Sequence, residues 1–236
     1  MAEASAAGGV GDAALAAAWL AVHDAVLAGL NHALSNRAAA AAALAAVVEP
    51  HEAPGEEIAT EVAAEARRLG ELLHLYRRLP RATSSRAVPL QLAAVLPVAV
   101  QLYAHGTTRS REMPCALTID DALPPVTARE DALTHALLAL LVDAGRWALA
   151  AEHGRLAARV TGGDAAVLVV VEGVGEGGAV LNDGGVAVPL ARWLLGDAAG
   201  VVEEARGGGR LRYTLTMPAA PAAAAPRDPR GEQRIG

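Results

Sequence analysis

The sequence of 236 residues lacks lysine and phenylalanine, contains one cysteine, and is only 3% aromatic. The single thiol, Cys115, excludes an internal disulfide, and no group of Cys and His residues has the spacing of a structural zinc site. We therefore expect neither a disulfide framework nor a metal. Core packing must rely on Leu, Val and Ala, and helices rich in alanine need a partner to bury enough surface.

Positive charge is also scarce. The 20 basic residues, all arginine, face 26 acidic ones, which gives a net charge of -6 and no long basic stripe. Binding to nucleic acid depends on neutralised phosphates, so a DNA or RNA partner is not expected. The first residues lack the positive start of a secretory signal, and prolines and glutamines interrupt the apolar stretch Val88–Ala104. We expect a cytoplasmic protein without a membrane segment.

The N-terminal third has the pattern of a helical hairpin. From Asp12 to Glu49 there is no proline and only one glycine, and apolar residues recur every three or four positions at Leu15, Trp19, Val22, Val26 and Leu30. After a break at Pro50, Pro54 and Gly55, a second helix runs from Glu56 to about Leu79 with one apolar face: Ile58, Val62, Leu69, Leu72, Tyr76 and Leu79. An isolated hairpin exposes one apolar side, so we expect residues 12–80 of two copies to pair as a four-helix bundle.

The rest of the chain, from 87 to 218, has the mixed pattern of an α/β domain. Helices are predicted near Leu90–Tyr103, Ala128–Glu152 and Pro189–Leu195. Strands are predicted at Ala116–Ile119, Leu156–Val160, Ala165–Glu172, Gly200–Ala205 and Arg210–Met217. The fold class is therefore α+β. Residues 80–86 form a linker, residues 1–11 an N-terminal tail, and residues 219–236, rich in Ala, Pro and Arg, a disordered tail.

The first helix contains Gly29-Leu-Asn-His-Ala-Leu-Ser-Asn-Arg37, which resembles the H-box of bacterial sensor histidine kinases. His32 matches the phosphoacceptor histidine and Asn36 the Asn or Thr four positions later. Ala33 stands where the family has an acidic residue that helps to activate the imidazole. The resemblance implies that the hairpin is a dimerisation and phosphotransfer domain.

The second half resembles the ATP-binding domain of the same family. Leu133–Ala148 is similar to the N-box helix, but Ala139 and Asp143 replace two asparagines that hold magnesium and phosphate. Val169–Gly177 is similar to the strand and loop carrying Asp-x-Gly-x-Gly, with Gly173 at the adenine-reading aspartate.

The resemblance also implies an ATP lid, which this chain lacks: only about a dozen residues, Gly178–Pro189, precede the next helix. Phosphoryl transfer from ATP depends on positioning and electrostatics, so losing these groups together removes useful nucleotide affinity. We expect a degenerate ATP-binding fold without a cofactor, and no ATP-dependent self-phosphorylation.

These features predict a histidine phosphotransfer protein, a homodimer that relays phosphoryl groups to or from response-regulator receiver domains through His32. A hybrid histidine kinase is a further candidate partner. Asn36 would orient a water for dephosphorylation, and Ser35 and Arg37 would contact the partner. His32 lies about 125° from the centre of the apolar stripe and should face solvent. The alternative function is a non-catalytic pseudokinase that regulates a kinase or response regulator by docking.

Other candidates have simpler interpretations. His23, followed by Asp24, is a rival phosphoacceptor, but it lies about 55° from the stripe centre, which favours half-buried packing. The remaining histidines are assigned to surface or packing positions: His51, His74, His105, His135 and His153. The glycines at 173, 175, 177 and 178 are interpreted as a turn, because neither a helix start nor a lysine follows them.

Overall fold

The computed structural model describes residues 11–47, 55–79, 86–106, 113–163, 165–176, 185–196 and 200–220, which form a helical hairpin followed by an α/β layer. The helices are α1 (Asp12–Val47), α2 (Glu56–Arg78), α3 (Leu92–Gly106), α4 (Glu130–Leu149) and α5 (Ala187–Leu195). The strands are β1 (Val88–Leu90), β2 (Cys115–Ile119), β3 (Val126–Ala128), β4 (Glu152–Gly162), β5 (Ala166–Glu176), β6 (Val201–Gly207) and β7 (Arg210–Pro218). The predicted α+β class is confirmed.

The main sheet has five strands in the order β2-β4-β5-β7-β6. β2 and β4 are parallel, and every other neighbouring pair is antiparallel. Helix α4 lies against β4, β5 and β7, and α5 against β6, so the helices cover one face. Alternation along β7 shows this: Leu211, Tyr213, Leu215 and Met217 are buried, whereas Arg210 and Arg212 are exposed on the other face.

A second sheet was not predicted from the sequence. It consists of β1 and β3, three residues each, paired antiparallel from Val88–Ala128 to Leu90–Val126. Both strands are shorter than the runs that show a period of two, and Pro89 within β1 argues against a strand. The short ladder meets the main sheet through β3, which contacts β7.

The apolar stripe of α1 is covered within the same chain, which corrects the expectation that only a second copy could cover it. Val26 and Leu30 are fully buried, and α1 contacts α3, α4 and α5. The approach to α3 is closest at Gly29, where an added Cβ atom would lie 1.6 Å from the carbonyl oxygen of His105. Only glycine fits this crossing of the two helices.

The predicted apolar face of α2 is also partly wrong. The buried apolar residues are Leu72, Leu75 and, just beyond the helix, Leu79. Val62 and Tyr76 are 44% and 38% exposed, and Leu73 is exposed as well. The helix therefore has an uncovered apolar stripe besides the face that it turns toward the rest of the chain.

Two described helices, α1 and α4, are long and apolar enough to cross a membrane by length and composition. Helix α4 is mostly buried inside the protein, as the core helix of a folded domain is, whereas most of α1 is not buried. The expected cytoplasmic location stays a prediction.

Several predicted segments lie outside the described residues. These are residues 1–10 of the N-terminal tail, residues 80–85 of the linker, His51, and residues 221–236 of the C-terminal tail. The domain boundaries at 80 and 87 stay predictions.

Candidate functional site

His32 lies in the C-terminal half of α1 and is exposed, as predicted. Asn36, one helical turn later and also exposed, donates a hydrogen bond from Nδ2 to Nε2 of His32, with the two nitrogens 3.1 Å apart. Residues four apart share a helix face, so α1 itself brings the two side chains together. An amide nitrogen only donates, so this hydrogen bond requires the neutral tautomer in which Nε2 accepts and Nδ1 carries the proton.

Ser35 and Arg37 flank Asn36 but point to other sides of the helix. Ser35 is exposed. Arg37 lies about 140° around the helix from His32. It reaches across the hairpin to Glu65 on α2, with Nη1 lying 3.0 Å and 3.4 Å from the two carboxylate oxygens. The structure thus joins His32 to Asn36, and Arg37 to the second helix.

Glu65 is the buried acid of the hairpin, and its side chain is only 5% exposed. It accepts hydrogen bonds from Arg37 and from Arg68, which lies one turn further along α2. The Arg68 hydrogen bond, helped by the charges of both guanidinium groups, keeps the pKa of Glu65 below its ordinary value despite the opposing effect of burial. The Glu65 carboxylate therefore holds two arginines in place, Arg37 of α1 and Arg68 of α2.

A groove of about 980 Å³ lies beside this ion pair, between α1, α2 and α3. Asn36 and Arg37 line it from α1, and Gln101 lines it from α3. Helix α2 contributes Arg68 and His74. Three arginines and two histidines line the groove together with Glu71, and the rest of its lining is mainly apolar. Asn36 places the groove next to the His32–Asn36 pair.

His23 occupies a different environment from His32. Its ring stacks on Trp19 with centroids 5.3 Å apart, and its centroid lies 6.0 Å from that of His135 on α4. Trp19 and His135 meet edge to face at 5.0 Å. His23 is thus a half-buried packing residue at the contact between α1 and α4.

His135 is the buried member of this three-ring cluster, with 4% of its surface exposed. Its Nε2 has no hydrogen-bond partner among the described residues. Burial, and secondly the neighbouring His23, lower the pKa of His135 to about 4, so the ring is neutral near pH 7. The sequence assigned His135 to a surface or packing position. Its contacts with Trp19 and His23 could not be predicted, because they join distant parts of the chain.

At the positions that resemble a nucleotide site, the residues take part in packing and hydrogen bonds within the protein. Ala139 is buried. Asp143 accepts a hydrogen bond from the hydroxyl of Tyr213 on β7, and burial together with this bond raises the pKa of Tyr213. At Gly173 an added Cβ atom would lie 2.4 Å from the carbonyl oxygen of Ala144, so no aspartate fits there without movement of α4.

The glycine-rich segment differs from the predicted turn. Gly173 and Gly175 are strand residues, because β5 continues to Glu176. A Cβ atom at Gly175 would lie 2.2 Å from that of Ala151, so these glycines permit close packing of β5 against α4 and the chain after it. Gly177 and Gly178, and most of the segment where a lid would stand, lie outside the described residues.

In the described part of the chain, no three His, Cys, Asp or Glu side chains are placed to hold one metal ion. Cys115 is a free thiol of intermediate exposure, and burial raises its pKa to about 11. A thiol with a raised pKa is mainly protonated near pH 7 and is a poor nucleophile.

Comparisons with known proteins give structural similarity only. No protein-family model matches the chain, and no curated protein matches it. Among solved structures, the chain is similar to the Acinetobacter baumannii histidine kinase AdeS, at 16% identity over 82% of this chain and 96% of the other, with a TM-score of 0.44. A histidine kinase from Burkholderia phymatum is similar at 16% identity over 79% and 98% of the two chains, with a TM-score of 0.46.

The chain is also similar to the catalytic domain of histidine kinase ThkA, at 15% identity over 57% of this chain and 98% of the other, with a TM-score of 0.46. These identities and TM-scores establish no shared activity.

Proposed function

We propose that the protein is a histidine phosphotransfer protein, which relays phosphoryl groups to or from receiver domains of response regulators through His32. The observation that carries the proposal is the exposed His32 whose Nε2 faces the Asn36 amide at 3.1 Å. A neutral imidazole on an exposed helix face is a competent nucleophile toward a phosphoaspartate once its lone pair is released from the Asn36 amide.

The transfer requires little beyond this pair. The Nε2 lone pair attacks phosphorus, the P–O bond to the receiver aspartate breaks, and the carboxylate leaves with the bonding electrons. The proton on Nδ1 stays on the ring. Asn36 must move away from Nε2 during the attack, and it then offers an amide donor to the phosphoryl oxygens.

The arginines of the groove support a receiver as partner. Arg67 and Arg68 line it from α2 and Arg37 from α1, against Glu71 in the lining and the buried Glu65 that pairs with Arg37 and Arg68. A receiver domain presents a cluster of acidic residues around its aspartate, and opposite charges favour association of the two surfaces. Arg37, held by Glu65, would contact the receiver at the groove between α1 and α2, and Ser35 would contact it on the exposed side of α1.

Three features support transfer without ATP. Gly173 leaves no room for a carboxylate, Ala139 has no ligand atom, and Asp143 is engaged by Tyr213. An enzyme that uses ATP needs groups to position magnesium and phosphates. A receiver phosphoaspartate already carries an activated phosphoryl group and needs none of them.

The proposal includes a homodimer formed by the hairpin. Val62, Leu73 and Tyr76 are exposed and fall within about 60° of one another around α2. A contiguous exposed apolar stripe favours an interface. The second copy would cover this stripe rather than the α1 stripe, which the α/β layer covers.

A second candidate is a non-catalytic pseudokinase that regulates a kinase or response regulator by docking. The groove of about 980 Å³ favours it, because a docking surface needs no reacting group. The two functions differ in one measurement. The full chain is incubated with phosphorylated receiver domains from the same genome, and any label transferred is tested for stability in acid and base. Label that is labile in acid and stable in base supports the relay, and binding without label supports docking.

A further inference from the structure

A pocket of about 680 Å³ lies on the open face of the main sheet, the face that α4 and α5 leave uncovered. Two arginines and a histidine line it: His153 and Arg155 from β4, and Arg210 from β7. Val174 of β5 lies between them. Among the described side chains that line the pocket none is acidic.

Strand register explains why two arginines meet here. Val174 is the cross-strand partner of Arg155 on one side and of Arg210 on the other. Directly paired residues share a sheet face, and strands are spaced by about 4.8 Å, so the Cα atoms of the two arginines are about 10 Å apart. Two guanidinium groups at this separation can reach one ligand above the valine.

The ends of the pocket are shaped by unusual backbone. Gly208 and Gly209, with φ angles of 57° and 70°, form the two-residue turn between β6 and β7. Gly175 N donates a 2.9 Å hydrogen bond to Gly209 O, which holds the turn against the end of β5. His153 has a φ of 53°, and the β4–β5 register shifts between Glu152 and Arg155. This bulge sets His153 beside the strands rather than within the regular ladder.

Acidic residues lie in the rows on either side of the two arginines. Glu172, one row along β5, accepts hydrogen bonds from Arg212 and lies 3.7 Å from Arg210. In the other direction, Glu152 of β4 pairs with Glu176 of β5. Arg155 has no ion pair within the described residues.

We propose that this pocket binds a small molecule that carries a phosphate or diphosphate group. Arg155 and Arg210 lie on either side of Val174, and the planar fork of an arginine suits phosphate oxygens. The volume is typical of small-ligand sites and too small for a protein domain. The nucleotide site implied by the resemblance lies elsewhere, on the side of β5 that faces α4, where Gly173 and Asp143 are.

Calorimetric titration of the full chain with inorganic phosphate and with pyrophosphate, at low ionic strength, tests this site. We expect saturable binding with one ligand per chain, stronger for pyrophosphate. The substitutions Arg155→Gln and Arg210→Gln should each weaken it about tenfold or more, since each removes a charge-assisted contact. The control is Arg159→Gln, which removes the same charge from an exposed position on β4 outside the pocket.

Each outcome is decisive. Saturable binding that the two pocket substitutions weaken and the control leaves unchanged supports the site. Equal weakening by all three variants shows a diffuse effect of net charge and overturns the proposal, as does the absence of saturable binding to the wild type. The His153→Asn variant, which keeps a residue tolerant of positive φ, should weaken pyrophosphate binding without lowering Tm.

Discussion

The Asn36 amide lies 3.1 Å from Nε2 of His32, on the exposed face of a helix whose opposite side is packed against the α/β layer. This geometry keeps the reacting nitrogen on the exposed face, where it is released when Asn36 moves away, while the helix backbone is fixed. The two properties come from different residues. The exposed pair supplies the chemistry, and Val26 and Leu30 with Gly29 supply the packing.

The packing at Gly29 gives the first prediction. Gly29→Ala should destabilise the protein by about 1–3 kcal/mol or more. The new Cβ atom would overlap the His105 carbonyl oxygen unless α1 and α3 separate. The matched control is Gly70→Ala in α2, where nothing lies within 4 Å. That variant should gain about 0.5–1 kcal/mol from helix propensity. Urea denaturation measures both, and a Gly29→Ala variant as stable as wild type would show that the two helices do not pack this way.

The helices could be predicted from the sequence because their apolar period is long and proline and glycine mark their ends. Which part of the protein covers the apolar stripe of α1 could not be predicted. Apolar spacing shows that Val26 and Leu30 are buried, but whether a second copy or α3 buries them depends on contacts between distant segments. The same limit applies to Trp19 and His135, which are remote in the chain and adjacent in the fold.

The candidate site was predictable where it depends on one helix. His32 and Asn36 are four residues apart, so a helical α1 places them side by side. Arg37 was interpreted without its partner, because Glu65 lies 28 residues away on α2. The strands β1 and β3 were missed since three-residue strands leave no measurable alternation.

Acid stability should depend on His135. Its folded pKa is about 4 and its ordinary value 6.5, so the unfolded chain takes up a proton more readily than the folded one. The stability present above pH 6.5 is therefore lost as pH falls toward 4, by about 3 kcal/mol in all. Urea denaturation at pH 7 and pH 4.5 measures the loss, and the His135→Phe variant should reduce it. An unchanged difference between the two pH values in that variant would assign the loss to other groups.

The dimer prediction concerns the α2 stripe. A Leu73→Glu and Tyr76→Glu double variant should be monomeric by light scattering at a concentration of about tens of micromolar, where the wild type is dimeric. The new charges would disrupt the proposed interface without disrupting the folding of one chain, because both residues are exposed in the single chain. Thr60→Glu, about 160° from Val62 around the helix, is the control and should remain dimeric. A monomeric wild type would contradict the proposal.

Nucleotide should not stabilise the protein. Millimolar magnesium-ATP is expected to leave Tm unchanged, whereas a ligand at a hundred times its dissociation constant adds about 2.7 kcal/mol. Gly173→Asp should not create binding. It should lower Tm instead, because its Cβ atom would lie 2.4 Å from the Ala144 carbonyl oxygen. A rise of several degrees in Tm with magnesium-ATP, in either protein, would contradict this view of the α/β layer.

The relay itself is tested most directly by phosphoryl transfer from a labelled cognate receiver to three proteins: wild type, His32→Ala and His23→Ala. His32 is exposed, while His23 is stacked on Trp19 and faces His135. Circular dichroism of each variant confirms folding before the assay. The account predicts label on wild type and on His23→Ala, and none on His32→Ala. Label on His32→Ala, or none on wild type with any receiver of the same genome, would contradict it.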